Sequence, residues 1–293
     1  MQTNSEWKDY EIIASGDGMK LERWKNVHLL RPDPQVIWKS NIDLEKYPKL
    51  DAIYNRINGG GAWQYIKKVD NSWTVSWRNL SFLVQPMGFK HTGLFPEQSV
   101  NWAKMIDLIN EKKRNCDEPI KILNLFAYTG GATVACTSAG AVVTHVDSAK
   151  NMVERAKTNM KLSNLDSRPV RYIVDDCKKF VMREIKRGNK YDAIIMDPPS
   201  YGRGPTGEVW KIEDNIYDLV SLCCEILSDK PLFFLINSYT TGLQPCVMKN
   251  ILFRALDENN KKVNLGNIEA YEVGLPTDEK IDLPCGCSAF CKF

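Results

Sequence analysis

The chain has 293 residues, of which 39 are Lys or Arg and 36 are Asp or Glu, for a formal net charge of +3. That length suits one large domain with a smaller companion, and so small a net charge does not establish a polyanionic partner, which needs a clustered patch. No apolar run nears the roughly 20 residues that span a bilayer, the nine cysteines are too unevenly spaced for a disulfide scaffold, and Met1–Lys8 holds no basic-then-apolar leader, so a cytoplasmic chain with reduced thiols and no membrane partner is expected.

Up to about residue 95 the texture is that of short strands. Arg31-Pro32-Asp33-Pro34 breaks any helix and predicts a turn, and Gly59-Gly60-Gly61 predicts a loop before a strand over Ala62–Lys68. Trp73, Val75 and Trp77 alternate with Thr74, Ser76 and Arg78, the period of a half-buried strand. Phe82 and Val84 lie in a second such run, with Asn79 as the turn between them. Residues 1–95 are therefore expected to form a small, mainly β N-terminal domain. Its tryptophans read first as core, with a nucleic-acid platform as the weaker alternative.

Phe89-Lys90-His91-Thr92-Gly93-Leu94-Phe95-Pro96-Glu97-Gln98 joins this part to the rest. Val100, Met105, Ile106 and Ile109 then recur at helical spacing, and that helix frays in Glu111-Lys112-Lys113-Arg114. Strands and helices alternate from there. The spacing predicts strands over Ile120–Phe126, Ala141–Asp147, Val170–Asp175, Tyr191–Met196 and Pro231–Asn237. Helices are expected over Gly131–Ala139, Ser148–Leu162, Cys177–Arg187 and Glu213–Leu227, with another near Gln244–Asp257. Two closing strands, Asn267–Gly274 and Gly286–Lys292, form an antiparallel hairpin at the sheet edge. Such alternation means an α/β fold, a Rossmann-like parallel sheet with right-handed crossovers over residues 96–293. Cys285, Cys287 and Cys291 share one face of the last strand, but no fourth ligand accompanies them, so they read as core and no metal is expected.

Ligands bind outside the carboxyl ends of strands in such sheets, and four segments place polar residues there. Ala127-Tyr128-Thr129-Gly130-Gly131 follows the first strand; paired glycines let backbone amides approach a ligand at a helix N-terminus. Asp147 ends the next strand, where a carboxylate accepts both hydroxyls of a ribose, and Ser148 behind it is an N-cap candidate. Of Asp175-Asp176-Cys177, one carboxylate suits the exocyclic amine of an adenine while the other caps the next helix; Asp176, beside Cys177, is assigned the adenine. Fourth comes Asp197-Pro198-Pro199-Ser200-Tyr201, where two prolines end the ladder and leave a carboxylate, a rigid turn and an aromatic ring. Together these describe a nucleoside lying across strand ends, with the reaction centre by the prolines.

The order of glycine turn, ribose acid, adenine acid and Asp-Pro-Pro resembles that of class I S-adenosylmethionine-dependent methyltransferases, with their seven-stranded sheet. Within that class Leu123-Asn124-Leu125-Phe126-Ala127-Tyr128-Thr129-Gly130 is similar to the first motif of bacterial 23S ribosomal-RNA methyltransferases acting on cytosine carbon-5 or guanine nitrogen-7. The resemblance covers residues ~90–240 and includes Thr92-Gly93 through Gln98, which in those enzymes precedes the catalytic domain near the cofactor. It implies that Phe126, Tyr128, Gly130 and Gly131 line the methionine end of S-adenosyl-L-methionine, that Asp147 holds the ribose and Asp176 the adenine, and that Asp197 faces the reacting centre. It also implies RNA, ribosomal above all, as the substrate.

Two departures shape the expectation. The family's RNA-binding domain of the pseudouridine-synthase-associated type is not recognisable in residues 1–90. Carbon-5 enzymes also carry a nucleophilic cysteine after the fifth strand, where this chain reads Asn237-Ser238-Tyr239-Thr240, with Cys246 several residues beyond. Methylating a pyrimidine carbon needs a covalent thiolate adduct, whereas a nitrogen or oxygen acceptor needs only alignment and exclusion of water. A nitrogen or other non-carbon acceptor is therefore expected, with Asp197 and Pro198 beside it and Tyr201 stacking on a base. The stretch Gly202–Lys211 reads as a mobile lid, in which Arg203 and Lys211 meet phosphates and Trp210 stacks on a base, or as a plain solvated loop. Alternatives are a carbon-5 enzyme with an atypical nucleophile, or a protein or small-molecule methyltransferase. A nicotinamide-dependent oxidoreductase is disfavoured because its Gly-x-Gly-x-x-Gly is missing.

Overall fold

A computed structural model describes residues 1–57, 60–88, 90–203 and 209–293. They fall into two compact units, Met1–Val100 with Val273–Cys285, and Asn101–Glu272 with Gly286–Phe293.

In the first unit β1 (Tyr10–Gly16), β2 (Met19–Trp24) and β3 (Val27–Pro32) form an antiparallel meander. Its first turn is Asp17-Gly18, both at positive φ, a pairing that suits two-residue hairpins because the mirror-image turn matches strand twist. β4 (Ala52–Ile57) runs parallel to β3 and antiparallel to β5 (Gly60–Tyr65). The expected loop at Gly60-Gly61 is thus the start of a strand; Gly59 lies outside the described residues. A Cβ on Gly61 would come within 2.5 Å of the Tyr54 ring and the Asn55 carbonyl, so glycine here makes room for the neighbouring strand. β6 (Trp73–Trp77) and β7 (Leu80–Val84) form a separate hairpin turning at Arg78-Asn79.

Trp24 and Trp77 are fully buried, and the Trp24 ring packs 4.4 Å from that of Tyr10. These aromatics are core, as first read from the sequence. The core also holds a charge pair. Glu22 is fully buried and accepts hydrogen bonds from Arg31 Nη2 at 2.7 Å and the Tyr10 hydroxyl at 2.8 Å. Arg31 Nη1 donates to the Lys90 carbonyl at 2.7 Å, and its guanidinium lies 5.7 Å from the centre of the Trp24 ring. Each guanidinium nitrogen and each carboxylate oxygen of the pair has a hydrogen-bond partner, which is the condition for burying charge.

The second unit opens with α1 (Ser99–Asn115) and continues through β8 (Lys121–Leu125), α2 (Gly131–Ser138), β9 (Val142–Asp147), α3 (Lys150–Leu162), β10 (Val170–Val174), α4 (Cys177–Arg187) and β11 (Ala193–Met196). A short ribbon of β12 (Tyr201–Arg203) and β13 (Val209–Lys211) precedes α5 (Ile212–Glu225), β14 (Phe233–Ser238), α6 (Pro245–Glu258), β15 (Ile268–Pro276) and β16 (Asp282–Lys292). The sheet order is β10-β9-β8-β11-β14-β16-β15, with β8 to β11 and β14 parallel and β16 antiparallel to β14. This is the Rossmann-like, seven-stranded sheet with an antiparallel C-terminal hairpin. β11 and β14 are buried along their whole length, as strands covered on both faces must be. Among the described residues no helix is long and apolar enough to cross a membrane.

Replacing Arg31 by Met strands the Glu22 carboxylate in the core and should lower stability by about 3–5 kcal/mol. The double variant Arg31→Met/Glu22→Leu should recover most of that loss in thermal unfolding. Equal melting of wild type and R31M would show that the pair is not desolvated.

Candidate active site

Strand order reverses between β8 and β11, the point at which the chain turns back from β10. The registers there share one row. Val146 pairs with Leu125, Leu125 with Met196, and Met196 with Ile236. One residue further along, Asp147, Phe126, Asp197 and Asn237 stand side by side at four neighbouring strand exits. With strands about 4.8 Å apart, Asp147 and Asp197 are separated by about 10 Å across the sheet. Those two carboxylates bracket the switch point, where an open α/β sheet binds its ligand.

The turn after β8 is strained. Phe126 and Tyr128 take φ of 53° and 50°, and Gly130 takes 81°. Left-handed conformations cost a non-glycine residue about 1 kcal/mol or more and persist only where the surroundings fix them. Here they do. The Phe126 amide donates to Cys177 Sγ at 3.3 Å, the Tyr128 amide to Asp147 Oδ2 at 2.8 Å, and the Thr129 carbonyl accepts from the fully buried Asn159 of α3 at 2.8 Å. Beneath the turn, Asn124 Nδ2 donates to Thr133 Oγ1 at 3.0 Å, and Thr133 Oγ1 lies 2.9 Å from His145 Nδ1. These side chains join β8, α2 and β9. Sequence reasoning assigned no role to Asn124, Thr133, His145 or Asn159, although Asn124 and His145 interrupt otherwise apolar strand runs.

The paired glycines serve packing within the protein. A Cβ on Gly130 would approach Ala156 Cβ to 2.8 Å, and one on Gly131 would approach the Trp102 ring to 2.6 Å. Their smallness lets α2, α3 and α1 close around the turn.

Asp147 is half-buried, and both its oxygens are engaged locally, Oδ2 by Tyr128 and Oδ1 by the Ala149 amide at 2.8 Å. Burial pushes its carboxyl above the usual range, against the pull of these two amides. Each oxygen keeps lone-pair capacity for a further donor. Ser148 is exposed and does not cap: α3 begins at Lys150 with Ala149 in the cap position, and the Asp147 carboxylate accepts the Ala149 amide. Asp176 is the N-cap of α4, its Oδ1 accepting from the Lys179 amide at 2.8 Å, while Asp175 pairs with Arg183. The acid expected to meet an adenine is thus the one that caps α4. The Cys177 side chain is buried, and its thiol is pushed far up by that burial.

After β11, Pro198 is buried, Pro199 and Ser200 are exposed, and the Tyr201 ring is 50% exposed. The expected mobile loop is a β-ribbon at its base: Tyr201 pairs with Lys211, Gly202 with Trp210 and Arg203 with Val209. Residues 204–208, the rest of the expected lid, lie outside the described residues. Trp210 Nε1 donates to the Pro199 carbonyl at 2.7 Å, and the ring lies 5.2 Å from that of Phe126. It braces the turn from inside. Arg203 and Lys211 are exposed, and Arg203 Nε donates to the Tyr201 hydroxyl at 2.8 Å. Ser200 Oγ lies 2.6 Å from Thr240 Oγ1, tying the Asp-Pro-Pro turn to the exit of β14. Asn237 at that exit is buried, accepting from Ser288 Oγ at 2.7 Å and from Asn101 Nδ2 at 3.2 Å. The Tyr271 hydroxyl donates to Asn101 Oδ1 at 2.6 Å and closes this network. Among the described residues no group of three or more His, Cys, Asp or Glu is placed to hold a metal ion.

A family model described as S-adenosylmethionine-dependent methyltransferase matches residues 65–229, more than half of the chain. A SAM-dependent methyltransferase from Agrobacterium tumefaciens has the same fold, with a TM-score of 0.89 and 31% identity over 99% of this chain and 92% of that one. A Neisseria meningitidis protein named ribosomal RNA large subunit methyltransferase K is 26% identical over 85% of this chain and 73% of its own length. The Legionella pneumophila protein named ribosomal RNA large subunit methyltransferase K/L is 26% identical over 70% of this chain. The matched part is only 28% of that longer protein.

His145 is fully buried, and burial holds its pKa down at about 4. The folded state therefore keeps it neutral while the unfolded chain protonates near 6.5. Between those values the unfolded state binds more protons, so stability falls as pH drops from 6.5 towards 4, by on the order of 3 kcal/mol. Urea unfolding at stepped pH should show this slope, and His145→Phe should flatten it. An equal slope in both proteins would refute the assignment.

Proposed function

The chain belongs to the S-adenosylmethionine-dependent methyltransferase family, and from that premise we propose that it methylates RNA, with ribosomal RNA the first candidate, at a nitrogen or another acceptor that owns a lone pair. The cofactor, S-adenosyl-L-methionine, supplies an electrophilic methyl group on a sulfonium sulfur. The strand exits suit it chemically. Ribose hydroxyls and an adenine amine are donors, and the exits offer the acceptors Asp147, Asp176 and Asp197 around a turn held rigid from below. The half-buried Asp147 takes the ribose, and its two backbone amides fix its orientation beforehand. The free oxygen of the Asp176 cap, with the neighbouring Cys177 backbone, takes the adenine edge. Phe126, Tyr128, Gly130 and Gly131 line the methionine end.

Asp197 and Pro198 face the acceptor, about two strands from Asp147. Tyr201, half-exposed, stacks on the target base, and Arg203 and Lys211 on the ribbon meet backbone phosphates. Trp210 holds the Pro199 carbonyl and the Phe126 ring in fixed relation, so its part is to position the turn.

The exit of β14 carries the acceptor reading. Where a carbon-5 enzyme needs a thiolate, this chain has Asn237 locked in a buried network and Thr240 bonded to Ser200. Cys177, whose sulfur accepts the Phe126 amide, is a buried neutral thiol unfit as a nucleophile. A lone-pair acceptor needs no adduct. It needs alignment with the methyl and a dry site, and the rigid Asp-Pro-Pro turn supports both. The RNA reading draws on the names of the Neisseria and Legionella relatives.

With radiolabelled cofactor, methyl label should enter the RNA fraction of a cell extract and, after nucleoside digestion, should not elute with 5-methylcytidine or 5-methyluridine. Label in protein or metabolites would overturn the RNA reading, and label in a 5-methylpyrimidine would overturn the acceptor. Asp147→Ala should weaken S-adenosylhomocysteine binding by about 1–3 kcal/mol in calorimetry, the range for losing buried polar partners. Unchanged affinity would place the ribose elsewhere.

A further inference from the structure

Charge along the chain is unevenly placed. From Lys150 to Lys190 there are twelve Lys and Arg against five Asp and Glu, a net +7, while the whole chain carries only +3. Everything outside that stretch is net −4. The stretch is one structural neighbourhood, α3, the edge strand β10 and α4.

Its acids are mostly spent internally. Glu184 is fully buried and accepts from Arg187, Asn189 and the Tyr191 hydroxyl. Asp176 caps α4, Asp175 pairs with Arg183, and Glu154 pairs with Lys157. Several cations remain outside and uncompensated. Lys150, Lys161, Arg168 and Lys186 are exposed, and among the described residues none forms an ion pair. The basic side chains also lie on both faces of the sheet edge. Lys157 of α3 lies over the Tyr172 ring, and the next residue back on β10, Arg171, lies over Phe180 of α4. Successive strand residues point to opposite faces, so α3 and α4 flank β10 from either side. α4 starts at the capping Asp176, so one end of this basic edge adjoins the strand exits of the active site.

We propose that the β10 edge, with the outer faces of α3 and α4, is a docking surface for the phosphate backbone of a folded RNA. The proposal rests on the RNA reading above and adds the surface by which that substrate is held. Folded RNA suits it better than a membrane, since cations on two opposite faces of a sheet cannot all meet one flat bilayer, whereas a grooved polyanion can wrap the edge. RNA shape is read largely through such backbone contacts, which bring affinity and salt dependence without sequence information.

The test uses deproteinised ribosomal RNA and the full chain, with two triple variants of equal charge change. One is Lys161→Glu/Arg168→Glu/Lys186→Glu on the edge; the other is Lys230→Glu/Lys249→Glu/Lys262→Glu elsewhere in the same unit. Unchanged S-adenosylhomocysteine affinity certifies the fold of each. The edge triple should bind RNA about 10- to 100-fold more weakly at moderate salt, and the slope of log affinity against log salt should fall by about two to three, the counterions of three phosphate contacts. The control should lose far less. Equal weakening in both triples, or none in the edge triple, would overturn the docking surface while leaving the RNA reading intact. Failure of the wild type to bind RNA or methylate it would sink both, and binding to phosphatidylglycerol vesicles in its place would turn the edge into a membrane contact.

Discussion

Everything at the active end follows from a single register. Val146, Leu125, Met196 and Ile236 form one continuous line of paired residues, and the line fixes which residue of each strand emerges first. A slip of one residue in any of these strands would turn its side chains to the other face and withdraw Asp147 or Asp197 from the row. The apolar burial that specifies the sheet therefore also specifies the spacing of its carboxylates.

Beneath the row, buried polar groups give the turn after β8 its shape. Asn124, Thr133, His145 and Asn159 are costly to bury and each is engaged by a partner, His145 through Nδ1 only, its buried Nε2 having none among the described residues. Their return is a backbone held in a conformation that Phe126 and Tyr128 would otherwise avoid. Trp210 performs the same service for the prolines from the opposite side. The site is thus braced from the sheet, from α3 and from the ribbon, which is how a first layer of residues is kept to fractions of an ångström.

The parallel sheet was legible because its strands are runs of apolar residues ended by Asp, Gly or Pro, and because helices of the right period separate them. Asp147, Asp176 and Asp197 stand out for the same reason, as polar residues where apolar runs stop. The first unit was harder. β2 and β3 carry Glu22 and Arg31 on their buried faces, and this pair, which masks the alternation, is visible as neutralising only once β2 and β3 are side by side. The Asp17-Gly18 turn was a usable signal that went unread. Ser148 looks like a cap by type, yet α3 starts later, at Lys150, with Ala149 in the cap position. The close packing of Gly130 on Ala156 and of Gly131 on Trp102 involves partners distant in sequence, which no local pattern reveals.

The C-terminal hairpin carries a consequence for the order of assembly. β16 is inserted between β14 and β15, so the edge of β14 has no partner until β16 has been synthesised, well after β14 itself. Residues 273–285 of the same hairpin also belong to the first unit. During synthesis, then, an apolar strand edge stands open and the earlier unit stays incomplete, a state open to mispairing and to chaperones. One late hairpin thus completes both units, residues 273–285 in the first and 286–293 in the second.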